Sequence, residues 1–553
     1  MKRFDRRTMM RYSGMAAAAL AMPAWAVEDA VKPVAATTAG RISGVVENGI
    51  NVFRGVPYGG DTAKTRFKAP VPPEKWSGVK ECVSFTTMAP QIVSERAAGA
   101  ATAARTSSSG VPGGVRDQGV QSEDCLHLNV WTPGLRDGKK RAVLLYIHGG
   151  AYNNGTVNND LYDGNRLCHR GDVVVVTVNH RLNAFGYLYL GDVGGKEYAE
   201  SGNVGQLDLV LALKWVRENI AEFGGDAARV VIFGQSGGGA KCATLMAMPV
   251  AKGLFTRVMS MSGQQIKGAS VEIASERAKV VLAKMGVTAG KDLEAQLNGL
   301  TMEQIQAGTR AVSSDWLPVV DHVVLMRNPF DPDAPELSEG VPMILGNTHD
   351  ETNVSLRGKE MTWEDVPGVL QSQVGQYIPP YSPEEVVTRY REIYPAYTPD
   401  QVATAAATAF RAWPGQRWEA ERRAQNPKSQ VHTWAYQMDW KGIGGKAQHT
   451  IDIPFMFDNL AMAPGQIGTS AEQIAAAQPL ADVMSEMLIR YGKTGNPNGD
   501  GAHPGMPTWP AYDLKERNTM MWELPVRVEK DPRAEERKFA EGAHYHQAGT
   551  PLP

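Results

Sequence analysis

The sequence predicts an α/β fold in which a mostly parallel sheet is covered by helices on both faces. Short apolar runs bounded by turn residues alternate with longer stretches of helical periodicity, as in consecutive strand–helix units. No fixed-period repeat occurs, which argues against a solenoid. Of the 553 residues, 43% are hydrophobic and 21% are charged, so the chain can bury a large core.

The predicted elements follow one another in strand–helix order. The predicted strands are apolar without interruption, as expected when both faces of a sheet are covered. Helical spacing is clearest through Leu207, Val210, Leu213 and Val216. Predicted strands occupy 142–147, 173–178, 229–233, 341–345 and 431–438, predicted helices occupy 205–222 and 239–248, and helical insertions occupy 270–310 and 355–425.

The first 26 residues predict a signal peptide rather than a folded element. A basic start containing Arg6-Arg7 precedes a short apolar run, and Ala24-Trp25-Ala26 has the small-x-small form that signal peptidase cleaves. The arginine pair resembles a twin-arginine signal, with a Sec signal or an ordinary basic terminus as alternatives. We therefore expect residues 1–26 to be removed, residues 27–553 to form a single domain, and the mature protein to be periplasmic or secreted.

Composition argues against two classes of partner. No run after residue 26 reaches 18 apolar residues, so no membrane anchor is expected after cleavage of the signal. The 57 basic and 59 acidic residues nearly cancel, and neither a basic stripe nor a zinc-spaced cluster is present in the sequence. Nucleic acid is therefore not an expected partner. The oligomeric state stays open.

A candidate nucleophile lies in Gly234-Gln235-Ser236-Gly237-Gly238, between a predicted strand and a predicted helix. A reactive serine must project from a sharp strand-to-helix turn, and glycines on either side allow the close backbone approach that such a turn needs. The start of the following helix adds N–H groups that can face a developing negative charge. A glycine-rich turn without chemistry is the alternative.

Hydrogen-bond donors for this developing negative charge are predicted at the end of an earlier strand. The segment His148-Gly149-Gly150-Ala151-Tyr152 offers consecutive backbone N–H groups. We assign the donors to Gly150, Ala151 and Gly237. His148 is expected to order this turn rather than to act as a base.

Chain order gives candidates for the remaining two catalytic groups. In this type of fold the acid follows the serine and the histidine follows the acid. His449 lies in a glycine-rich loop after a late predicted strand, which suits a catalytic imidazole. Asp350 and Glu351 both follow the strand at 341–345, and the pattern does not choose between them.

The chain resembles the type-B carboxylesterase and cholinesterase family along nearly the whole of its sequence after the predicted signal peptide. The resemblance is carried by ordered segments: Phe53 to Tyr58, Glu123 to Pro133, Asn179 to Leu182, Phe223 to Asp226, Thr494 to Pro497 and Trp509-Pro510. It implies the α/β-hydrolase fold, with a mostly parallel central sheet, helices on both faces and helical insertions near the active site.

The resemblance also implies roles for individual residues. Ser236 matches the nucleophile, Glu351 the acid and His449 the histidine, with Gly150, Ala151 and Gly237 in the oxyanion hole. Cys82 and Cys125 match the first disulfide of the family, and Ser262 resembles a serine that supports the buried acid, a plain turn serine being the alternative.

The expected activity is hydrolysis of small-molecule carboxylic esters through an acyl-enzyme, with no cofactor. A lipase, an amide or carbamate hydrolase, and an inactive binding module remain alternatives. Departures from the family pattern concern selectivity: Gln235 replaces the usual glutamate, Thr450 a common glycine and Asp452 a frequent glutamate. Residues 83–124 contain no tryptophan to stack on a quaternary ammonium, so a choline ester is not expected.

Overall fold

The computed structural model describes residues 32–92, 119–290, 292–312, 316–356, 359–501, 503–547 and 550. The predicted signal peptide, residues 1–26, lies outside the described residues, as does most of the segment between Cys82 and Cys125. The signal peptide and the single-domain boundary at residue 27 therefore stay predictions.

Strands in the described residues fall into a large sheet and a small one. In chain order they are β1 (Val34–Ala36), β2 (Arg41–Ser43), β3 (Val45–Glu47), β4 (Ile50–Pro57), β5 (Val79–Glu81), β6 (His127–Thr132), β7 (Arg141–Ile147), β8 (Val174–Val178), β9 (Gly225–Gln235), β10 (Arg257–Met261), β11 (Met343–Thr348), β12 (Thr433–Met438), β13 (Asn518–Trp522) and β14 (Arg527–Lys530).

The α-helices of the described residues connect these strands or form the predicted insertions. They are α1 (Asn165–Gly171), α2 (Asn183–Tyr187), α3 (Gly191–Gly194), α4 (Val204–Asn219), α5 (Gly237–Met246), α6 (Val271–Met285), α7 (Leu293–Asn298), α8 (Met302–Arg310), α9 (Val366–Val374), α10 (Pro383–Ile393), α11 (Pro399–Ala407), α12 (Trp413–Gln425), α13 (Pro427–Gln430), α14 (Asp452–Met456), α15 (Pro464–Ile467), α16 (Ala471–Thr494) and α17 (Ala534–Ala540).

The large sheet has eleven strands in the order β14-β13-β12-β11-β10-β9-β7-β8-β6-β4-β3. From β13 to β8 every neighbouring pair is parallel, whereas the strands at both ends pair antiparallel. The predicted α/β fold with a mostly parallel sheet is confirmed. Each predicted strand coincides with a strand of the structure, with ends that differ by a few residues.

Successive side chains of the central strands point to opposite faces of the sheet, and both faces are buried, which explains the uninterrupted apolar runs. In β7, Val143, Leu145 and Ile147 join the core on one side of the sheet, while Leu144 and Tyr146 join the core on the other. Burying each such side chain contributes about 1.5–3 kcal/mol. Because both faces are covered by helices, no position along the strand can be polar without a specific partner.

The register of the parallel strands brings their carboxyl ends to one edge of the sheet. Ile147 at the end of β7 lies opposite Gly234 in β9, and Gln235 lies opposite Met261 at the end of β10. Met261 in turn lies opposite Gly346 of β11. The segments that follow these strands therefore meet at a common edge, which is where ligands bind in open α/β sheets.

The predicted disulfide between Cys82 and Cys125 is not formed, because both residues are buried free thiols. The Cys82 thiol donates to the Gly55 carbonyl, with Sγ and O 3.9 Å apart, whereas Cys125 lies close to the Tyr58 side chain. Burial raises the pKa of the Cys82 thiol to about 12 and that of Cys125 well above its ordinary value. Both are therefore held as protonated thiols, the less reactive form.

Among the described residues, none of the helices combines the length and the apolar composition that crossing a bilayer requires.

Candidate active site

Ser236 lies on a strained turn between β9 and α5. Its backbone has φ 57° and ψ −128°, a conformation that costs a residue with a Cβ free energy and persists only where its surroundings enforce it. Its N–H donates to the Met261 carbonyl at 2.7 Å, which ties the turn to the end of β10. The side chain consequently projects at the carboxyl edge of the sheet.

The glycines around Ser236 are required by close backbone contacts. A Cβ on Gly234 would lie 2.5 Å from the Gly238 carbonyl carbon, and a Cβ on Gly238 would lie 2.0 Å from the Ile147 oxygen. Helix α5 thus starts directly against the ends of β7 and β9. This geometry is the one that the glycine spacing predicts.

The three candidate oxyanion donors come from two backbone segments in direct contact. Gly150 and Ala151 have φ of 91° and 50°, and a Cβ on Gly237 would lie only 2.2 Å from the Ala151 oxygen. Within the described residues the amides of Gly150 and Ala151 donate no hydrogen bond. Gly237 is the first residue of α5, so its N–H has no acceptor within the helix.

A buried lysine, which sequence reasoning missed, connects these two segments. Lys241 has no exposed surface, and its Nζ lies 2.5 Å from the Ala151 oxygen and 3.3 Å from the Gly237 oxygen. It also lies 4.9 Å from the centroid of the Tyr152 ring. Burial lowers the pKa of Lys241 to about 7. The available signal was a lone basic residue in the otherwise apolar start of α5.

Glu351 and His449, which are far apart in sequence, are in contact. Glu351 Oε2 is hydrogen-bonded to His449 Nδ1, and Oε1 accepts the Thr348 N–H at 2.7 Å. Burial alone raises the pKa of Glu351 and lowers that of His449, but their mutual attraction outweighs burial. The pKa of Glu351 is therefore lowered and that of His449 raised.

The structure also resolves the choice between Asp350 and Glu351 as the partner of the imidazole. Asp350 Oδ1 lies 2.9 Å from Nδ1 of the neighbouring His349, and its other oxygen accepts the Ala447 N–H at 2.8 Å. Its carboxylate is thus occupied by other groups, and Glu351 alone of the two contacts His449.

Gln235 contacts the imidazole, a role that the sequence did not suggest for it. Its Nε2 lies 3.3 Å from His449 Nε2 and 3.4 Å from Nδ1. Ser236 and His449 line the same cavity, but within the described residues the serine hydroxyl makes no direct hydrogen bond to the ring. The Gln235 amide must therefore move away from His449 Nε2, or share this nitrogen with the Ser236 hydroxyl, when the serine proton is transferred.

Two further side chains surround the acid. The Ser262 hydroxyl lies beside Glu351 and helps to lower the pKa of that carboxyl, although it has no hydrogen-bond partner of ordinary geometry. Asp452 is fully buried and accepts the Tyr436 hydroxyl at 2.9 Å. Burial, reinforced by the nearby Glu351 charge, raises the pKa of Asp452 to about 7.

His148 has the ordering role predicted for it. Its Nδ1 lies 2.8 Å from the Gly149 oxygen, and its ring stacks on His180 with 4.7 Å between centroids. Burial lowers the pKa of His148 to about 3, so the ring is neutral at physiological pH.

Two cavities meet at Ser236. The smaller, which we call the Gly150 cavity, has a volume of about 160 Å³ and is lined by Gly149, Gly150, Tyr162, Gln235, Ser236 and His449. The larger, which we call the Arg411 cavity, has a volume of about 320 Å³ and is lined by Ala151, Gln264, Trp316, Leu317 and Arg411 together with Ser236.

The sequence suggests pocket walls from the 96–121 loop, from Trp316-Leu317, and from the 355–415 insertion around Phe410 and Trp413. This expectation is partly right. Trp316 and Leu317 line the Arg411 cavity as expected. Phe410 and Trp413, which were also expected there, line other cavities, whereas Arg411, in the π-helical turn Thr408–Ala412, lines the cavity at Ser236. The predicted contribution of residues 96–121 falls mostly outside the described residues.

The chain is similar in sequence to proteins of one family over most of its length. Residues 31–540 match the carboxylesterase family. The chain belongs to the carboxylesterase family.

Relatives of this carboxylesterase include bacterial enzymes of known name. It is 30% identical to the para-nitrobenzyl esterase of Bacillus subtilis over 91% of this chain and 98% of that protein. It is also 30% identical to the phenmedipham hydrolase of Pseudarthrobacter oxydans over 87% of this chain and 93% of that protein. A solved carboxylesterase of Geobacillus stearothermophilus is similar with a TM-score of 0.76 and 32% identity, covering 92% of this chain and 99% of that one.

Family membership confirms the predicted resemblance and the predicted class of reaction. The chain is a carboxylic ester hydrolase with the α/β-hydrolase fold.

Proposed function

We propose that Ser236, His449 and Glu351 form the catalytic triad of this carboxylesterase, with the oxyanion hole formed by the amides of Gly150, Ala151 and Gly237. The observation that carries the proposal is the Glu351–His449 hydrogen bond at the cavity that also holds Ser236. The free amides of Gly150 and Ala151 beside the start of α5 support the assignment of the oxyanion hole.

In the acylation step, His449 takes the proton of the Ser236 hydroxyl as the serine oxygen attacks the ester carbonyl. The carbonyl oxygen becomes an oxyanion that the three amides stabilise. Glu351 keeps the imidazolium oriented and compensates its charge. His449 then gives its proton to the departing alkoxide, so an alcohol leaves and an acyl-serine remains.

In the deacylation step, water replaces the alcohol. His449 takes a proton from the water as its oxygen attacks the acyl-serine carbonyl, and a second oxyanion forms in the same hole. Its collapse expels the Ser236 oxygen, which recovers the proton from His449. The carboxylic acid is released and the free enzyme is restored.

The test is replacement of the nucleophile. Ser236→Ala is expected to lower kcat on a short-chain p-nitrophenyl ester by about 10⁴-fold or more, because it removes the attacking atom. An organophosphorus probe followed by peptide mass spectrometry should label wild type at Ser236. Unimpaired turnover by the variant, or labelling at another serine, would refute the assignment.

Lipase, amide or carbamate hydrolysis can be served by the same residues. The phenmedipham hydrolase relative gives the carbamate alternative specific support. Purified enzyme assayed with esters, amides and carbamates of matched acyl and leaving groups separates these activities by kcat/KM.

We also propose export to the periplasm or beyond through the amino-terminal signal at residues 1–26, by the twin-arginine route. The support is the Arg6-Arg7 pair and the Ala24-Trp25-Ala26 cleavage pattern. Replacing both arginines with lysine should retain the precursor in the cytoplasm, as measured by fractionation; export unchanged would exclude the twin-arginine route.

A further inference from the structure

We infer that this carboxylesterase acts on esters that carry a carboxylate group, which the Arg411 guanidinium binds inside the cavity at Ser236. The inference rests on the proposed function, because it assigns the substrate class of the same site.

Arg411 lies in the wall of the cavity next to the reacting groups. It lines the Arg411 cavity together with Ser236, Gly237 and Ser262. Its charge acts on His449, where it opposes the rise of the imidazole pKa. It belongs to a π-helical turn between α11 and α12, and such turns occur frequently at functional sites.

The Arg411 guanidinium lacks an acidic partner within the described part of the chain. No Asp or Glu of that part lines the cavity, whose other polar walls include the amides of Asn153, Gln264 and Gln265. Most other arginines in the structure are paired, as Arg417 is with Glu541 at 2.7 Å. Arg411 therefore offers its planar donors to the cavity, a geometry that suits bidentate binding of a carboxylate.

The charges around the site favour an anion as well. Gln235 is neutral at the position where the family usually has a glutamate, and the Glu351 carboxylate is engaged by His449 through a hydrogen bond to Nδ1. Lys241, whose pKa is lowered by burial to about 7, is partly protonated at pH 7 and then adds positive charge beneath the proposed oxyanion hole. Burial raises the pKa of Asp452 to about 7 and that of Glu419, which accepts the Gln265 N–H, to about 8.

These observations together give a site whose wall holds an accessible cation, with no Asp or Glu of the described residues lining the same cavity. A carboxylate on the substrate gains a charge-assisted hydrogen bond that a neutral ester of the same length lacks. Because Arg411 is exposed to solvent, the expected selectivity is moderate, about 5- to 10-fold in kcat/KM.

The experiment compares charged esters with neutral esters of matched length by pH-stat titration at pH 7, where Lys241 keeps part of its positive charge and Glu419 is largely protonated. Monoethyl adipate against ethyl hexanoate places the carboxylate on the acyl side, and 4-(butyryloxy)butanoate against butyl butyrate places it on the alcohol side. The measured quantity is the charged-to-neutral ratio of kcat/KM in wild type, Arg411→Gln and Arg411→Lys.

For one of the two pairs, Arg411→Gln is expected to lower this ratio by about 5- to 10-fold, and Arg411→Lys to retain part of it, because lysine keeps the charge without the planar fork. Added salt should lower the wild-type ratio. The matched control is Arg310→Gln, at an exposed position at the end of α8 and outside both cavities. This variant should leave the charged-to-neutral ratio unchanged.

Two outcomes would overturn parts of this account separately. If esters are hydrolysed but Arg411→Gln leaves both ratios unchanged, carboxylate binding by Arg411 is excluded while the esterase assignment stands. If no ester is hydrolysed, the proposed function fails. Binding of monoethyl adipate and of 4-(butyryloxy)butanoate to Ser236→Ala, measured by calorimetry with and without Arg411→Gln, then tests the carboxylate site independently. Equal affinities for both ligands would exclude it.

Discussion

At the scale of single residues, the buried ammonium of Lys241 is the least expected feature of the site. A charge without a carboxylate partner is costly to bury, yet here it holds the carbonyls of Ala151 and Gly237. Those residues supply two of the three proposed oxyanion donors. The side chain therefore has a positioning role: it connects the loop after β7 to the start of α5.

Replacement of Lys241 with methionine should lower kcat by about 10- to 100-fold, less than full loss of an oxyanion donor costs. KM should change much less, because the donors matter most when the oxyanion forms. Steady-state kinetics on a neutral ester test this, with Lys284→Met on the exposed side of α6 as a control and thermal unfolding to monitor folding. A change confined to KM would contradict the positioning role.

The pH dependence of activity is set by His449. Since its pKa is raised above the ordinary 6.5, kcat/KM should fall as pH decreases through a midpoint above 6.5, where the ring becomes protonated and can no longer accept the serine proton. Gln235→Glu places a carboxylate beside the ring and should move the midpoint to higher pH. A pH–rate profile that does not shift in this variant would show that residue 235 is electrostatically remote from the imidazole.

At this scale, prediction from sequence succeeded where residue type and spacing carry the geometry. Glycines flanking Ser236 predict the turn because a Cβ at either position collides with backbone. The contact of Gln235 with His449 was missed because it depends on how two distant segments meet. The predicted disulfide between Cys82 and Cys125 was wrong for a similar reason. Cysteines at positions that match those of the family do not determine where each thiol points.

At the scale of elements, the strand-to-helix turn at Ser236 depends on tight contact between α5 and the ends of β7 and β9. The strand register explains this contact, because Ile147 lies opposite Gly234, two residues before Ser236. Any side chain at position 238 must displace the Ile147 carbonyl from which it would be 2.0 Å away.

Gly238→Ala should therefore abolish measurable esterase activity and destabilise the protein by several kcal/mol, on the order of an overpacked core position. Gly340→Ala is the matched control, because a Cβ there meets no atom within 4 Å. Urea denaturation and activity measured on both variants check the prediction. Full activity in Gly238→Ala would mean that α5 can move without cost.

The elements themselves were predicted better than their ends. Apolar runs identify β7 and β8 because the central strands are covered on both sides. The predicted strand 229–233 is shorter than β9, which extends from Gly225 to Gln235, because the added residues are glycine, alanine or polar and give no run of large apolar side chains. The π-helical turn at 408–412 has no signal in the periodicity, so the orientation of Arg411 could not be predicted.

At the scale of the whole molecule, stability does not depend on a cross-link. All four cysteines, Cys82, Cys125, Cys168 and Cys242, are buried free thiols. The protein denatured in guanidinium without reductant should therefore release four titratable thiols per chain to a thiol reagent. A value of two would show that an oxidised pair forms in the purified protein.

The outermost strands of the large sheet have a consequence for self-association. Both β3 and β14 are short and pair antiparallel with their only neighbour. On β14, Arg527 is paired with Glu523 and Glu529 at 2.6 Å each, and Lys530 with Glu516 at 2.5 Å. A foreign strand that paired with β14 would have to displace or desolvate these ions. The charged side chains at this edge therefore protect the sheet against fibrous polymerisation.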